Sequence, residues 1–192
     1  DGGRSAFRDK TVAANAGLEH SLFYSGEKTV KQVDSMSKIG TRTKLKEGYD
    51  TPFSFYENDT QISGNSAAKL KIKYRTYQPY YTYDSGTKLY KRDGYKFAGA
   101  KTDTLTFKNI IVLYVPNKDS GDHDGHRNFE DIGSGGGIYA ANGEYIPIKW
   151  SKESANTPLR LLTMQGEPLK INRGKTFISY VNGADDCQVS GS

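Results

Sequence analysis

The chain has 192 residues, 35% of them hydrophobic and 26% charged, with 27 Lys and Arg against 22 Asp and Glu for a formal net charge of +5. That length holds one full core, or one domain with part of another, and leaves little room for two domains of ordinary size. A single cysteine, Cys187, excludes a disulfide framework and a cysteine-based metal site within one chain, and no apolar run approaches the roughly 20 residues that a bilayer-spanning helix needs.

Tyr is the unusual component, at 14 copies against one Trp. It suits half-buried strands, with the ring in a core and the hydroxyl wet. The sequence pI near 9.1 favours anionic partners such as nucleic acid, teichoic acid or acidic lipid without choosing among them.

In chain order, the opening DGGRSAFRDK carries no charged-then-apolar leader pattern. Segment 27 to 39, EKTVKQVDSMSKI, spaces Val30, Val33, Met36 and Ile39 at roughly helical intervals, and predicts one short amphipathic helix with Ser25 as N-cap and Gly40 as stop. From Pro52 onward nearly every periodic segment reads as strand. The candidates lie near 52 to 57, 68 to 76, 80 to 84, 87 to 92, 106 to 115, 137 to 141, 144 to 150, 158 to 163 and 175 to 181.

Within AKLKIKYRTY, strand alternation places Leu70, Ile72 and Tyr74 on one face and Lys69, Lys71, Lys73 and Arg75 on the other. Such a row is the ordinary solvated face of a sheet, or a track for a polyanion. Ser85 and Gly86 sit between YYTYD and TKLYKR, and Asn142 and Gly143 between IYAA and EYIPIKW. Each pair predicts a β-hairpin, the second through a type I′ turn that needs positive φ at both central positions. TFKNIIVLYVP is the most apolar strand, and its alternation lapses after Asn109, which predicts a central strand buried on both faces.

The longest polar stretch, 117 to 137, combines two of the three histidines with acids and glycines. Asp122, His123, Asp124, His126 and Glu130 are ligand types for Zn, Mn or Ni, though their spacing matches neither H-E-x-x-H nor a calcium loop. The glycines of IGSGGG lead into a strand with no Lys where a phosphate-binding loop requires one. They read instead as a bulge or a close approach of backbones where the chain enters a sheet. Ser134 has no G-x-S-x-G setting, so no catalytic residue is assigned.

The ordered set FRDK, HSLFYSGEK, YYTYDSGTKLYKRDG, FKNIIVLYV, DGHRNFEDIGSGGGIY, IKWSK, QGEPLKINRGKT and ISYV resembles the YerB-like lipoproteins, a bacterial family of unknown function found mainly in Gram-positive organisms. The resemblance runs from about Phe7 to Val181. The DSGDHDGHR loop, with His123 and His126, and the polar C-terminus depart from the family's pattern. It implies that residues 1 to 48 are the end of a larger preceding α/β-type domain, 49 to 182 the β-rich C-terminal domain and 183 to 192 a polar tail. It also implies an extracytoplasmic protein held to the membrane by a lipid on the full-length chain.

The expected fold is mainly β within the α+β class, an antiparallel sandwich or partly open barrel preceded by the helix. The expected function is a non-enzymatic, envelope-associated binding module with no cofactor. Its partner would be a wall polymer or envelope protein, together with the preceding domain. Tyr80, Tyr81, Tyr83, Tyr90 and Trp150 are the candidate ligand surface. Two alternatives stand beside it: an enzyme acting on wall polymers through the 117 to 137 loop, and sequence-independent polyanion binding through Lys69, Lys71, Lys73 and Arg75.

Overall fold

The computed structural model of the protein describes residues 5–38, 51–93, 105–123 and 125–191. These fall into two compact units, 5–38 in one and the remainder in the other.

In the first unit a two-stranded antiparallel ribbon, β1 (Ala6–Arg8) with β2 (Leu22–Tyr24), accompanies two helices, α1 (Lys10–Ala16) and α2 (Gly26–Lys38). The predicted helix is α2. Ser25 caps it, its hydroxyl accepting from the Lys28 backbone N–H at 3.3 Å, and Lys31 pairs with Glu27 one turn away at 2.7 Å. The predicted stop, Gly40, lies outside the described residues. Helix α1 is an addition to the sequence reading. KTVAANA is too short to show a hydrophobic period, and Asp9 starts it by accepting from the Thr11 and Val12 backbone N–H groups at 2.8 and 3.0 Å.

The second unit contains β3 (Ser54–Phe55), β4 (Asn65–Ser66), β5 (Lys69–Ile72), β6 (Tyr80–Asp84), β7 (Leu89–Asp93), β8 (Leu105–Phe107) and β9 (Asn109–Tyr114). It continues with β10 (Asn117–Asp119), β11 (Arg127–Phe129), β12 (Gly133–Ala141), β13 (Glu144–Lys152), β14 (Arg160–Leu162), β15 (Lys170–Ile171), β16 (Thr176–Val181) and β17 (Cys187–Ser190). One sheet has the order β14-β13-β12-β9-β16, with β4 also on β13, and a second has the order β17-β5-β6-β7-β8. Both are open, so the sandwich rather than a barrel describes the unit. The pairing is mainly antiparallel; β16 on β9 and β15 on β3 are parallel.

The two sheets meet through a core of Leu70, Ile72, Tyr81 and Tyr90 from one and Ile110, Val112, Ile138, Ala140 and Val181 from the other. The opposite face of the larger sheet builds a second core from Ile111, Leu113, Tyr139, Ile148, Trp150 and Leu161, covered by Ile62, Leu169 and Ile171. Strand β9 therefore sends alternate residues into two cores, as its unbroken apolar run predicts. Its first residue, Asn109, is buried but satisfied: its amide N–H donates to the Asn172 carbonyl at 2.7 Å, and its oxygen accepts from the Tyr139 hydroxyl at 2.9 Å.

Both predicted hairpins form. Asn142 and Gly143 have φ of 52° and 81°, as a type I′ turn demands, and β12 pairs with β13 directly across them. The β6–β7 hairpin closes from Asp84 to Leu89, a longer turn than Ser85 and Gly86 alone suggest, with the left-handed residue at Lys88.

The polar stretch 117 to 137 is not one connecting loop. It holds the β10–β11 hairpin, and the glycines of its IGSGGG segment already belong to β12. A Cβ on Gly137 would stand 2.4 Å from the Val112 carbonyl oxygen, so the glycine run marks close backbone approach. The ADDCQVSGS segment, read as a polar tail, carries an edge strand. β17 pairs antiparallel with β5 and turns Cys187 and Val189 toward the core between the sheets.

Candidate functional site

Two hairpins bound a groove of about 740 Å³ in the second unit. One wall is the turn from β5 to β6, KYRTYQP. It is closed by the Tyr74 N–H donating to the Tyr77 carbonyl at 3.0 Å and the Ile72 N–H donating to the Pro79 carbonyl at 3.1 Å. Tyr74 turns inward, and its hydroxyl hydrogen-bonds the Ser179 hydroxyl at 2.5 Å. Tyr77 stays 52% exposed, its ring 4.8 Å from Tyr74 and under the Arg92 guanidinium at 5.8 Å.

The other wall is the β10–β11 hairpin. Its place is fixed by the Asn117 N–H donating to Asn182 Oδ1 at 2.8 Å, just beyond the end of β16. Arg127 is held by Asn117, Nε donating to Oδ1 at 2.8 Å and Nη2 to the backbone carbonyl at 3.1 Å. Phe129 packs edge-on against Tyr180 with centroids 6.0 Å apart and remains 45% exposed. Arg75 joins the two walls through its 3.2 Å ion pair with Asp119.

The electrostatics favour an anion. Lys73, Arg75 and Arg127 line the groove against one lining acid, Asp186, whose backbone carbonyl accepts from the Lys73 N–H at 2.8 Å. Lys73 has no side-chain partner among the described residues. Burial holds the phenols of Tyr74 and Tyr180 above their ordinary range, so they present neutral hydroxyls. Rings, guanidinium groups and side-chain amides on a concave surface can hold a ligand by stacking and hydrogen bonding.

The sequence-predicted residues divide sharply. Tyr81, Tyr90 and Trp150 are buried at 0%, 0% and 2% exposure, which corrects their reading as a ligand surface. Burial drives the first two phenols up, while the Trp150 indole N–H donates to the Tyr114 carbonyl at 3.1 Å. Tyr83 is half-buried, its ring tilted against that of Tyr90 with centroids 5.3 Å apart and lying against Gly143. Only Tyr80 of that set is exposed, at 47%, with the Lys71 ammonium 5.4 Å above its ring.

Lys69, Lys71, Lys73 and Arg75 face outward as predicted, and the last two enter the groove. The metal set is not assembled. His126 Nδ1 lies 2.7 Å from Asp122 Oδ2 on a side chain 71% exposed, His123 and Glu130 stand apart in solvent, and Asp124 lies outside the described residues. No group of three or more His, Cys, Asp or Glu is placed to hold a metal ion among the described residues.

Sequence reasoning missed Tyr77, Arg127, Phe129, Tyr180 and Asn182. The one local signal was the alternation of Arg127 and Phe129 inside an otherwise polar stretch.

No curated protein matches the chain. A solved structure, the YerB protein from Bacillus subtilis, is similar with a TM-score of 0.67 at 20% identity, covering 99% of this chain and 60% of that one. At that identity the likeness shows the fold, and this chain spans 60% of the length of the YerB chain. A family model described as the C-terminal domain of a protein of unknown function, DUF3048, matches residues 69–178, more than half of the sequence. The chain belongs to this YerB-like DUF3048 family, whose function is unknown.

Proposed function

We propose that the chain is a non-catalytic binding module of the bacterial cell envelope and that the groove between the two hairpins is its ligand seat. The observation that carries the reading is the convergence of Tyr77, Phe129, Lys73, Arg75 and Arg127 on one concave surface. Arg127 in particular is preoriented by the two hydrogen bonds it donates to Asn117, which lowers the ordering cost of a bound anion. The extracytoplasmic place, the lipid anchor on the full-length protein and a domain boundary near residue 48 rest on the family resemblance. No helix among the described residues is long and apolar enough to cross a membrane.

A thermal-shift screen of soluble wall-glycan fragments, short peptides and polyanions tests the seat. A ligand that raises the melting temperature of the parent chain, and loses that effect in both Tyr77→Ala and Arg127→Ala, supports it. A ligand whose shift survives both changes, or a panel that gives no shift, overturns it. Fractionation of the full-length protein, with protease treatment of intact cells, tests the compartment; recovery in the soluble cytoplasmic fraction removes the envelope placement.

A further inference from the structure

The groove is one end of a longer basic feature. In the five-stranded sheet Lys71 stands opposite Tyr80 and Gln188, Lys69 opposite Thr82 and Ser190, and Thr82 opposite Lys91. Leu70, Ile72, Tyr81 and Tyr90 occupy the core face, so Lys69, Lys71 and Lys91 share the outward face with Tyr80. Lys73 continues this row to the groove, where Arg75 and Arg127 extend it. Two acids share this face: Asp93, across from Tyr80, accepts from the Thr82 hydroxyl at 2.5 Å, and Asp84, at the end of β6, accepts from the Gly86 and Thr87 N–H groups.

Lys69 and Lys71 are alternate residues of β5, and Lys73 and Arg75 follow in the turn beyond it. Alternate residues of a strand lie about 7 Å apart. A phosphodiester chain with a three-carbon repeat separates successive phosphates by six bonds, which extend to about 7 Å by the reach of backbone covalent geometry. Tyr80 and Tyr77, though about half exposed, each carry a cation over the ring. Lys71 covers Tyr80, and Arg92 and Tyr74 flank Tyr77. These rings hold the cations in place and leave few open platforms for successive bases, which a single-stranded nucleic-acid track requires.

We propose that the outward face of β5 and the groove form one continuous track for an extended, base-free phosphodiester polymer of the polyol-phosphate kind. This rests on the binding reading above and names its ligand class.

The test is fluorescence polarisation with a labelled synthetic glycerol-phosphate oligomer over a salt series, with an oligothymidylate of equal phosphate count as comparison. Contact with about five phosphates predicts a log–log salt slope near −3 to −4. The double variant Lys69→Ala with Lys71→Ala should weaken binding at least tenfold while its melting curve matches the parent. Affinity that is indifferent to salt, or unchanged in that variant, overturns the proposal, and tenfold tighter binding of the oligothymidylate replaces it with a nucleic-acid track. If the glycerol-phosphate oligomer fails while another screen ligand still requires Tyr77 and Arg127, the polymer proposal falls and the groove reading stands. If neither requires those residues, both fall.

Discussion

Arg75 and Asp119 meet at 3.2 Å and join the tip of the β5–β6 hairpin to the β10–β11 hairpin. Both side chains are at least half exposed, so the pair contributes at most about 1 kcal/mol to stability. Its larger effect is on charge, because Asp119 neutralises a cation of the proposed track. Asp119→Asn should leave the melting temperature nearly unchanged and raise affinity for the glycerol-phosphate oligomer about two- to fivefold at low salt, an advantage that high salt erases. Polarisation titrations at two salt concentrations read this directly, and a fall in affinity would show that the pair organises the groove rather than masking it.

The glycines of β12 give a contrast within three consecutive residues. A Cβ on Gly135 would stand 2.6 Å from Trp150 Nε1 and one on Gly137 2.4 Å from the Val112 carbonyl oxygen, whereas one on Gly136 would meet Tyr114 at an ordinary 3.4 Å. Gly135→Ala and Gly137→Ala should each cost about 1–3 kcal/mol, since a buried indole and a paired strand cannot retreat. Gly136→Ala should be neutral or slightly stabilising, through lower entropy of the unfolded chain. Urea denaturation of the three variants checks the order; equal losses would sink the close-approach account.

The parts of the fold legible in sequence are those governed by local chemistry. Asn142 and Gly143 announced their hairpin because few residues accept positive φ at two successive positions. The run from Ile110 to Leu113 announced a central strand because only burial on both sides accommodates four consecutive apolar residues. Strand β17 was hidden because CQVS turns only Cys187 and Val189 inward and forms by backbone pairing with β5. The β10–β11 hairpin was hidden because Asn182, far away in sequence, anchors it.

The candidate site was half legible for the same reason. The basic row follows from period-two alternation, and so does the outward Tyr80 beside the inward Tyr81, had the alternation been applied to the tyrosines. The groove draws on the 74–77 turn, Arg127, Phe129 and Tyr180, which only the tertiary fold assembles.

The Asp59 carboxylate makes stability depend on acid pH. Lys108, only 8% exposed, places its ammonium 2.7 Å from Asp59 Oδ1 and 2.5 Å from Asn142 Oδ1, and the Asn142 amide donates to Asp59 at 3.0 Å. The hydrogen bond from Lys108, then that from Asn142, holds the Asp59 carboxyl below its ordinary value of 3.8. A depressed native pKa means that the contribution is fully present above pH 3.8 and is lost as the pH falls through the lower native value. Asp59→Asn should therefore destabilise the chain at pH 7 by about 1 kcal/mol, since the Asp59 side chain is 41% exposed and solvent screens the pair, and should flatten the acid limb. Melting temperatures from pH 2 to 7 measure both effects. An acid limb of unchanged steepness in the variant would assign that dependence to other carboxylates.

Cys187 is the last case, a cysteine in the segment read as a polar tail. It opens β17 opposite Ile72 and lies against the core between the sheets, where burial pushes its thiol up to about 12 from an ordinary 9.0. The thiolate is the reactive form, so at pH 8 the native chain should react with iodoacetamide about a hundredfold or more slowly than the urea-unfolded chain. The raised native pKa has a linked consequence. The stabilisation is complete below pH 9.0 and is lost as the pH rises toward 12, because the unfolded thiol ionises first and draws the equilibrium toward the unfolded state. Cys187→Ala removes that alkaline term while keeping a small apolar group on the strand, so its melting temperature should fall less than the parent's between pH 9 and pH 11. Rapid alkylation of the folded chain at pH 8, at the rate of the unfolded one, would place Cys187 in solvent and detach β17 from the sheet.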